Sequence, residues 1–200
     1  MAHSRISSLA LAVGLLAANP TLAHPGHGPT ELVPAGKSTP AKVDPAKRTW
    51  LAGDHHVHSW YSASYKPSAD GKSPPEPIKA GDASNPITTN VAKGAGFGLS
   101  WMVATDHGGP NHSRFNRDQA YPEVLDTRRR TPQVLLFFGM ELNTPAAEHS
   151  SIIVPHTPAE RDVLFGIESG YDWREPWPLD PARTREAWMI DALKHMGALA

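Results

Sequence analysis

The sequence predicts an α/β fold, read as an incomplete barrel of parallel strands joined by crossover helices. Three observations support this. Apolar, strand-like runs alternate with helical segments, the pattern of a parallel sheet. Each of three such runs ends in a histidine or carboxylate, as strand ends at the working face of an α/β fold do. The last residues, Ala198-Leu199-Ala200, read like the start of a further strand, so the C-terminal part of the domain is expected to be missing.

The elements follow in chain order. Residues 1–23 read as an export signal: Arg5 is the positive flank, Leu9 to Ala18 is an uncharged apolar run, and Asn19-Pro20 breaks it. Thr21-Leu22-Ala23 then places small residues for cleavage before His24. The run is short for a bilayer span, which takes about 20 apolar residues. A periplasmic or secreted protein is therefore expected. Residues 24–48 carry five prolines among Gly, Ser, Lys and Thr and read as a linker or extended arm. The ordered domain is expected over 49–200. Trp50 to Ser59 reads as a strand with the loop after it, and 66–86 as a long surface loop. A helix is expected over Ile87 to Ala95, ended by Gly96 and Gly98. Leu99 to Thr105 reads as a buried strand, and 114–130 as helical in part with Pro122 a boundary. Val134 to Met140 is the strongest strand, and Ser150 to Val154 is another. Ala182 to Met196 reads as an amphipathic helix with Ala187, Ile190, Leu193 and Met196 at helical spacing, ended by Gly197.

Composition narrows the function classes. Lys and Arg number 19 against 20 Asp and Glu, for a net charge of −1. No basic face of the kind that binds nucleic acid stably is expected. No segment after the leader reads as transmembrane, so no membrane partner is expected either. With no cysteine in the sequence, disulfides and thiolate metal sites are excluded, and any metal must be held by nitrogen and oxygen.

Histidine is abundant, at eleven residues, and its placement carries the chemistry. On a strand, Asp54, His56 and His58 share one face and His55 takes the other. Residues two apart stand about 6.6 Å apart along a strand, close enough to converge on one ion or on two adjacent ones. Asp106-His107 follows the second apolar run and Glu141 the third. His149 precedes its run and must enter from that strand's start or from a folded-back loop. Glu148 reads as a solvated loop charge, His112 and His156 as loop histidines, His195 as a cation near a helix end, and His55 as a packed or supporting residue.

Asp54-His55-His56-Val57-His58-Ser59 resembles the opening Asp-x-His-x-His-Ser/Thr motif of the PHP family, the polymerase and histidinol phosphatase domain. Ala104-Thr105-Asp106-His107 resembles its Thr-Asp-His motif. Gly139-Met140-Glu141 with His149 resembles its third motif. Ser62 with Asp70-Gly71 resembles the Ser-Asp-Gly step, displaced by an insertion. The resemblance spans about residues 50 to 200. It implies a distorted seven-stranded β/α barrel, present here in part, with two or three ions of zinc, manganese or iron. It implies metal ligands at His56, His58, His107, Glu141 and His149, and at Asp70 through the displaced step, with Glu141 bridging two metals. Asp106 would be a ligand or the partner that orients His107, and Asp106, His107 and Glu141 are the expected catalytic residues, with Asp54 in a supporting role. The family's later His-Pro and Asp-x-His motifs do not occur in the sequence.

The implied activity is hydrolysis of phosphate esters, small or oligomeric, by metal-activated water. Arg114 and Arg117 are candidates to hold the phosphate. The alternatives are an amidohydrolase-like metal hydrolase, which also opens with His-x-His but usually needs a barrel lysine, and a non-catalytic metal- or ligand-binding domain.

Overall fold

Residues 44–199 are described by the computed structural model. The expected export signal and the linker up to residue 43 lie outside the described residues. Residues 44 and 46–52 are exposed, with one 3-10 turn at Pro45–Lys47.

The elements in order are β1 (Gly53–Val57), a small hairpin of β2 (Ser64–Lys66) and β3 (Glu76–Ile78), and α1 (Ile87–Gly96). Then come β4 (Trp101–Ala104), α2 (His112–Phe115), α3 (Tyr121–Arg130), β5 (Leu135–Asn143), β6 (His149–Ile153), α4 (Glu160–Tyr171) and α5 (Glu186–Leu199). The protein is mixed α/β, and its main sheet is curled into part of a barrel with the order β1-β4-β5-β6. β1, β4 and β5 run parallel, with Gly53 and Leu135 both level with Trp101.

Strand β5 explains why the core sits where it does. Phe138 to Asn143 are buried on both faces, as expected where helices cover a sheet on one side and further chain covers the other. Leu136, Phe138, Met140 and Leu142 pack with Met102 of β4, Val91 of α1, Val124 of α3 and Leu164 and Ile167 of α4. Truncating Phe138 to alanine would cost roughly 3–5 kcal/mol.

The structure departs from the sequence reading at five places. β6 runs antiparallel to β5, so the sheet is not wholly parallel. The surface loop at 66–86 contains β3 and the end of a two-stranded ribbon. Pro122 does not bound the helical segment: it lies in the first turn of α3, which runs on from α2 through a π-helical turn at Asn116–Ala120. Proline fits there because the wider π-helical turn before it makes room for the ring that a regular α-turn would exclude. α4 has no counterpart in the sequence reading. Finally, α5 runs to Leu199 and carries Ala198 and Leu199, which read as a strand; both are strong helix formers. Its packed side is also turned from the expected stripe. Ala187, Ile190 and Leu193 are exposed, while Ala192 is buried and Trp188 half-buried.

Candidate metal centre

The site forms at the C-terminal ends of β1, β4 and β5. Backbone bonds fix its parts before any side chain acts. Thr105 N–H donates to the Val57 carbonyl, and Glu141 N–H to the Asp106 carbonyl. Gly108 N–H returns to the Glu141 carbonyl, so His107 stands level with Glu141 as a short parallel continuation of β4 on β5. The glycines after His107 leave room for two neighbouring side chains. A side chain on Gly108 would overlap the Asp172 carboxylate, and one on Gly109 the Tyr65 hydroxyl.

The antiparallel course of β6 resolves the position of His149. Because β6 runs back along β5, its first residue stands at the end of β5. His149 pairs with Asn143 and Ser151 with Glu141. Directly opposed residues share a face, so His149, Ser151 and Glu141 point the same way.

Three groups of donors result, each compact enough to hold one ion: His56, His58 and Glu141; His58, Asp82 and His107; and His107, Glu141 and His149. Glu141 is the shared centre. Its Oε2 lies 2.8 Å from His107 Nδ1 and 3.1 Å from His58 Nε2. Its Oε1 lies 3.5 Å from His149 Nδ1 and 3.7 Å from His56 Nε2. Despite these short separations, Oε2 is buried and accepts no aligned hydrogen bond. The Nε2 atoms of His56 and His58 approach to 2.9 Å. Two nitrogens bound at about 2.0–2.1 Å to one tetrahedral ion stand only slightly farther apart. An orphaned carboxylate oxygen faced by convergent imidazole nitrogens fits a cation better than it fits an empty polar cluster.

Supporting bonds aim the rings. His56 Nδ1 meets Ser151 Oγ at 2.6 Å, and His58 Nδ1 meets Asp82 Oδ2 at 2.6 Å. Asp82 Oδ2 is also 3.6 Å from His107 Nε2. The His58 hydrogen bond holds the Asp82 carboxyl below the usual carboxylate range. Burial pushes the His107 imidazole down, towards the neutral form that binds metal, although the Glu141 charge opposes this.

Several expected site residues stand elsewhere. Asp70, expected as a ligand, belongs to none of the three groups: its carboxylate accepts from Lys72 N–H, Ser73 N–H and Ser73 Oγ within its own turn. Asp82 stands in the cluster instead, because the chain leaving the β2–β3 hairpin returns to Ser62. Gly81 and Asp82 N–H both donate to the Ser62 carbonyl there.

Asp106, expected to be catalytic, does not reach the donor groups. It is buried, accepting from Ser59 N–H at 2.6 Å, Ser59 Oγ at 2.8 Å and Ser62 Oγ at 3.0 Å, and burial raises its pKa. Ser62 Oγ in turn accepts from His107 N–H, so Asp106 positions the loop after β1 and, through it, the His107 backbone. Asp54 is exposed and accepts from His56 N–H.

Arg114 and Arg117, the expected phosphate holders, lie on the segment of α2 and its π turn. Arg117 pairs with Asp118 and stacks 4.4 Å from the Phe165 ring centroid on α4. Arg114 is exposed near Asp118.

His112 is not a loop histidine but a fully buried one. Its Nδ1 meets Glu168 Oε1 at 2.6 Å and its Nε2 donates to the Tyr61 carbonyl at 2.8 Å. Burial disfavours the charged ring, but the Glu168 carboxylate and the Tyr61 carbonyl outweigh it and raise the pKa to about 9.

The sequence reading did not single out Asp82 or Ser151. Gly81-Asp82 was a second Gly/Asp step after the insertion. Ser151 was readable only once the antiparallel register was known.

No protein-family model, curated protein or solved structure matches this chain.

Proposed function

We propose that the protein is a metal-dependent hydrolase of phosphate esters, built on a partial PHP-type barrel and holding two or three ions of zinc, manganese or iron. The observation that carries this reading is the sharing of Glu141 between two donor groups, with its buried Oε2 lacking any hydrogen-bond donor. A carboxylate bridging adjacent ions is the device of multi-metal hydrolytic sites.

His56, His58 and Glu141 would hold one ion and His107, Glu141 and His149 a second; a third ion between His58, Asp82 and His107 would need the second nitrogen of both rings, freed of its proton. Bound divalent ions would supply Lewis-acid polarisation and a water acidified towards neutral pH. The protein's part is orientation and charge. Four of the six donors are imidazoles, which add no negative charge to a bound ion as carboxylates would, and so leave the centre suited to an anionic ester. Ser151 and Asp82 fix the rings of His56 and His58, and so which nitrogen faces the centre. Asp106 keeps the Ser59–Ser62 loop in register with His107.

The test is hydrolysis of a generic phosphomonoester and phosphodiester by the manganese- or zinc-loaded protein. Glu141→Gln is expected to lower turnover by more than about 100-fold, beyond the usual loss from removing a supporting partner. Failure to bind either metal, or full activity in Glu141→Gln, would defeat the proposal.

A further inference from the structure

An open hollow of about 360 Å3 lies beside the turn between β5 and β6, lined by Ala146, Ala147, Glu148, Trp173 and Thr184. It borders the candidate centre through the chain itself. Glu148 immediately precedes His149, and Trp173 N–H donates to the carbonyl of Asn143, two residues after Glu141. Asp172, just before Trp173, bonds Asn143 through Oδ2 and packs against Gly108, next to His107. The hollow is thus fastened to β5, which carries Glu141, and leads directly into β6, which begins at His149, while Asp172 beside it reaches the Gly108 that follows His107.

Its lining is unequal. Trp173 supplies the one large flat surface, and the Arg174 guanidinium sits 4.9 Å from its ring centroid. Arg174 is exposed and has no carboxylate partner among the described residues. Opposite this pair the turn carries two small side chains, which leave room, and the exposed Glu148, whose charge disfavours an anion inside. Ala146 adopts a left-handed backbone, φ 58°. That conformation costs a non-glycine residue of order 1–3 kcal/mol and is concentrated at functional rims.

We propose that the hollow receives the organic group of the substrate, and that Trp173 selects esters in which that group is a planar ring. This inference rests on the phosphate-ester reading. The ester's anion faces the histidines, away from Glu148, while the ring stacks on the Trp173 face that Arg174 leaves open. Stacking on an aromatic side chain is strong enough to give about a 10-fold preference for a ring over a small alkyl group.

The test uses two ligands of equal charge that cannot be hydrolysed, phenylphosphonate and methylphosphonate. Each would be titrated calorimetrically into the full, manganese-loaded protein. The wild type is expected to bind phenylphosphonate about 10-fold more tightly. Trp173→Ala should bring the ratio close to one, and Trp173→Phe should keep most of it. Ala147→Leu, an exposed change that fills the hollow without touching the core, should also lower the ratio, and it guards against misfolding of the tryptophan variant. A wild-type ratio near one, no phenylphosphonate binding, or a ratio unmoved by both Trp173→Ala and Ala147→Leu overturns the inference. Hydrolysis of phenyl phosphate, measured separately, reports on the phosphate-ester reading. Its absence with the ratio intact removes the reaction and not the ring site, and hydrolysis with an insensitive ratio removes the ring site alone.

Discussion

Replacing Asp106 with alanine tests the claim that this residue builds the site without joining it. The carboxylate is 2% exposed and accepts three hydrogen bonds, from Ser59 N–H, Ser59 Oγ and Ser62 Oγ. The two hydroxyls can rotate towards other acceptors, but the Ser59 amide cannot. Leaving it buried and unsatisfied costs about 1–3 kcal/mol, and each lost hydroxyl bond adds about 1 kcal/mol. Relief from burying a carboxylate works in the other direction. The net loss is therefore placed at about 3 kcal/mol. For a protein of this size that lowers Tm by roughly 6–12 °C, at about 2–4 °C per kcal/mol. The melt would be followed by circular dichroism, with manganese binding measured below the transition. Because Ser62 Oγ also accepts from His107 N–H, affinity for manganese should fall as well. A Tm within about 2 °C of wild type, with metal binding intact, would refute the positioning role.

Three other outcomes follow from the geometry. Ser151→Ala removes the 2.6 Å partner of His56 Nδ1 and should weaken zinc binding about 10-fold in a chelator competition, with little change in Tm; unchanged affinity would exclude Ser151 as an orienting residue. Asp82→Asn should reduce metal stoichiometry or affinity while Asp70→Asn leaves both unchanged, as read by elemental analysis after dialysis; the reverse order would return the ligand role to Asp70. Stability of the metal-free protein should fall as pH rises from about 5 to 9, read by urea melts, with the depressed His107 imidazole opposing the fall only below its ordinary value of about 6.5. Asp172 is lifted to about 6 and Glu175 to about 8, each by burial first and then the Glu168 charge, and His112 sits at about 9. All three folded-state values lie above the unfolded ones, so the folded protein holds protons that the unfolded chain releases. Their stabilisation is complete below the unfolded values and is lost as pH passes the folded ones. A melt midpoint rising between pH 6 and pH 9 would contradict that sign.

What the sequence made legible follows periodicity. β4 and β5 were readable because Met102, Val103, Leu136 and Phe138 sit in apolar runs too long for a surface loop. α1 was readable from its apolar spacing and its closing glycines. The direction of β6 was not readable: Ser150 to Val154 has the same pattern whether it runs up or down, and direction is set by the length of the preceding link. Only five residues separate Asn143 from His149, enough for a turn and too few for a crossover. α4 escaped because its buried positions include Glu160 and Glu168, whose polarity breaks the apolar stripe. Both are neutralised inside, Glu160 by Arg128 and Tyr121, Glu168 by His112 and Asn116. Polar side chains buried with their partners are invisible to a reading that equates burial with hydrophobicity.

The same limit explains why the carboxylates were the hardest residues to assign. Asp70 and Asp82 each stand beside a glycine in the sequence, Asp106 beside a histidine and Glu141 between Met140 and Leu142, and none of these neighbours assigns a role. Their roles are decided by which donors the fold supplies. Asp70 is surrounded by the amides of its own turn and so is consumed locally. Asp106 receives one amide and two hydroxyls and so becomes a strut. Asp82 receives ring nitrogens from His58 and His107, and Glu141 faces four imidazoles with one oxygen unbonded. Of the four, those two carboxylates alone face the ring nitrogens of the cluster, the donor atoms that a cation would share with them. The histidines were found from the sequence because their chemistry is carried by the side chain. The carboxylates had to be sorted by their partners, and the partners come from the antiparallel return of β6 and from the chain that returns to Ser62 after the β2–β3 hairpin.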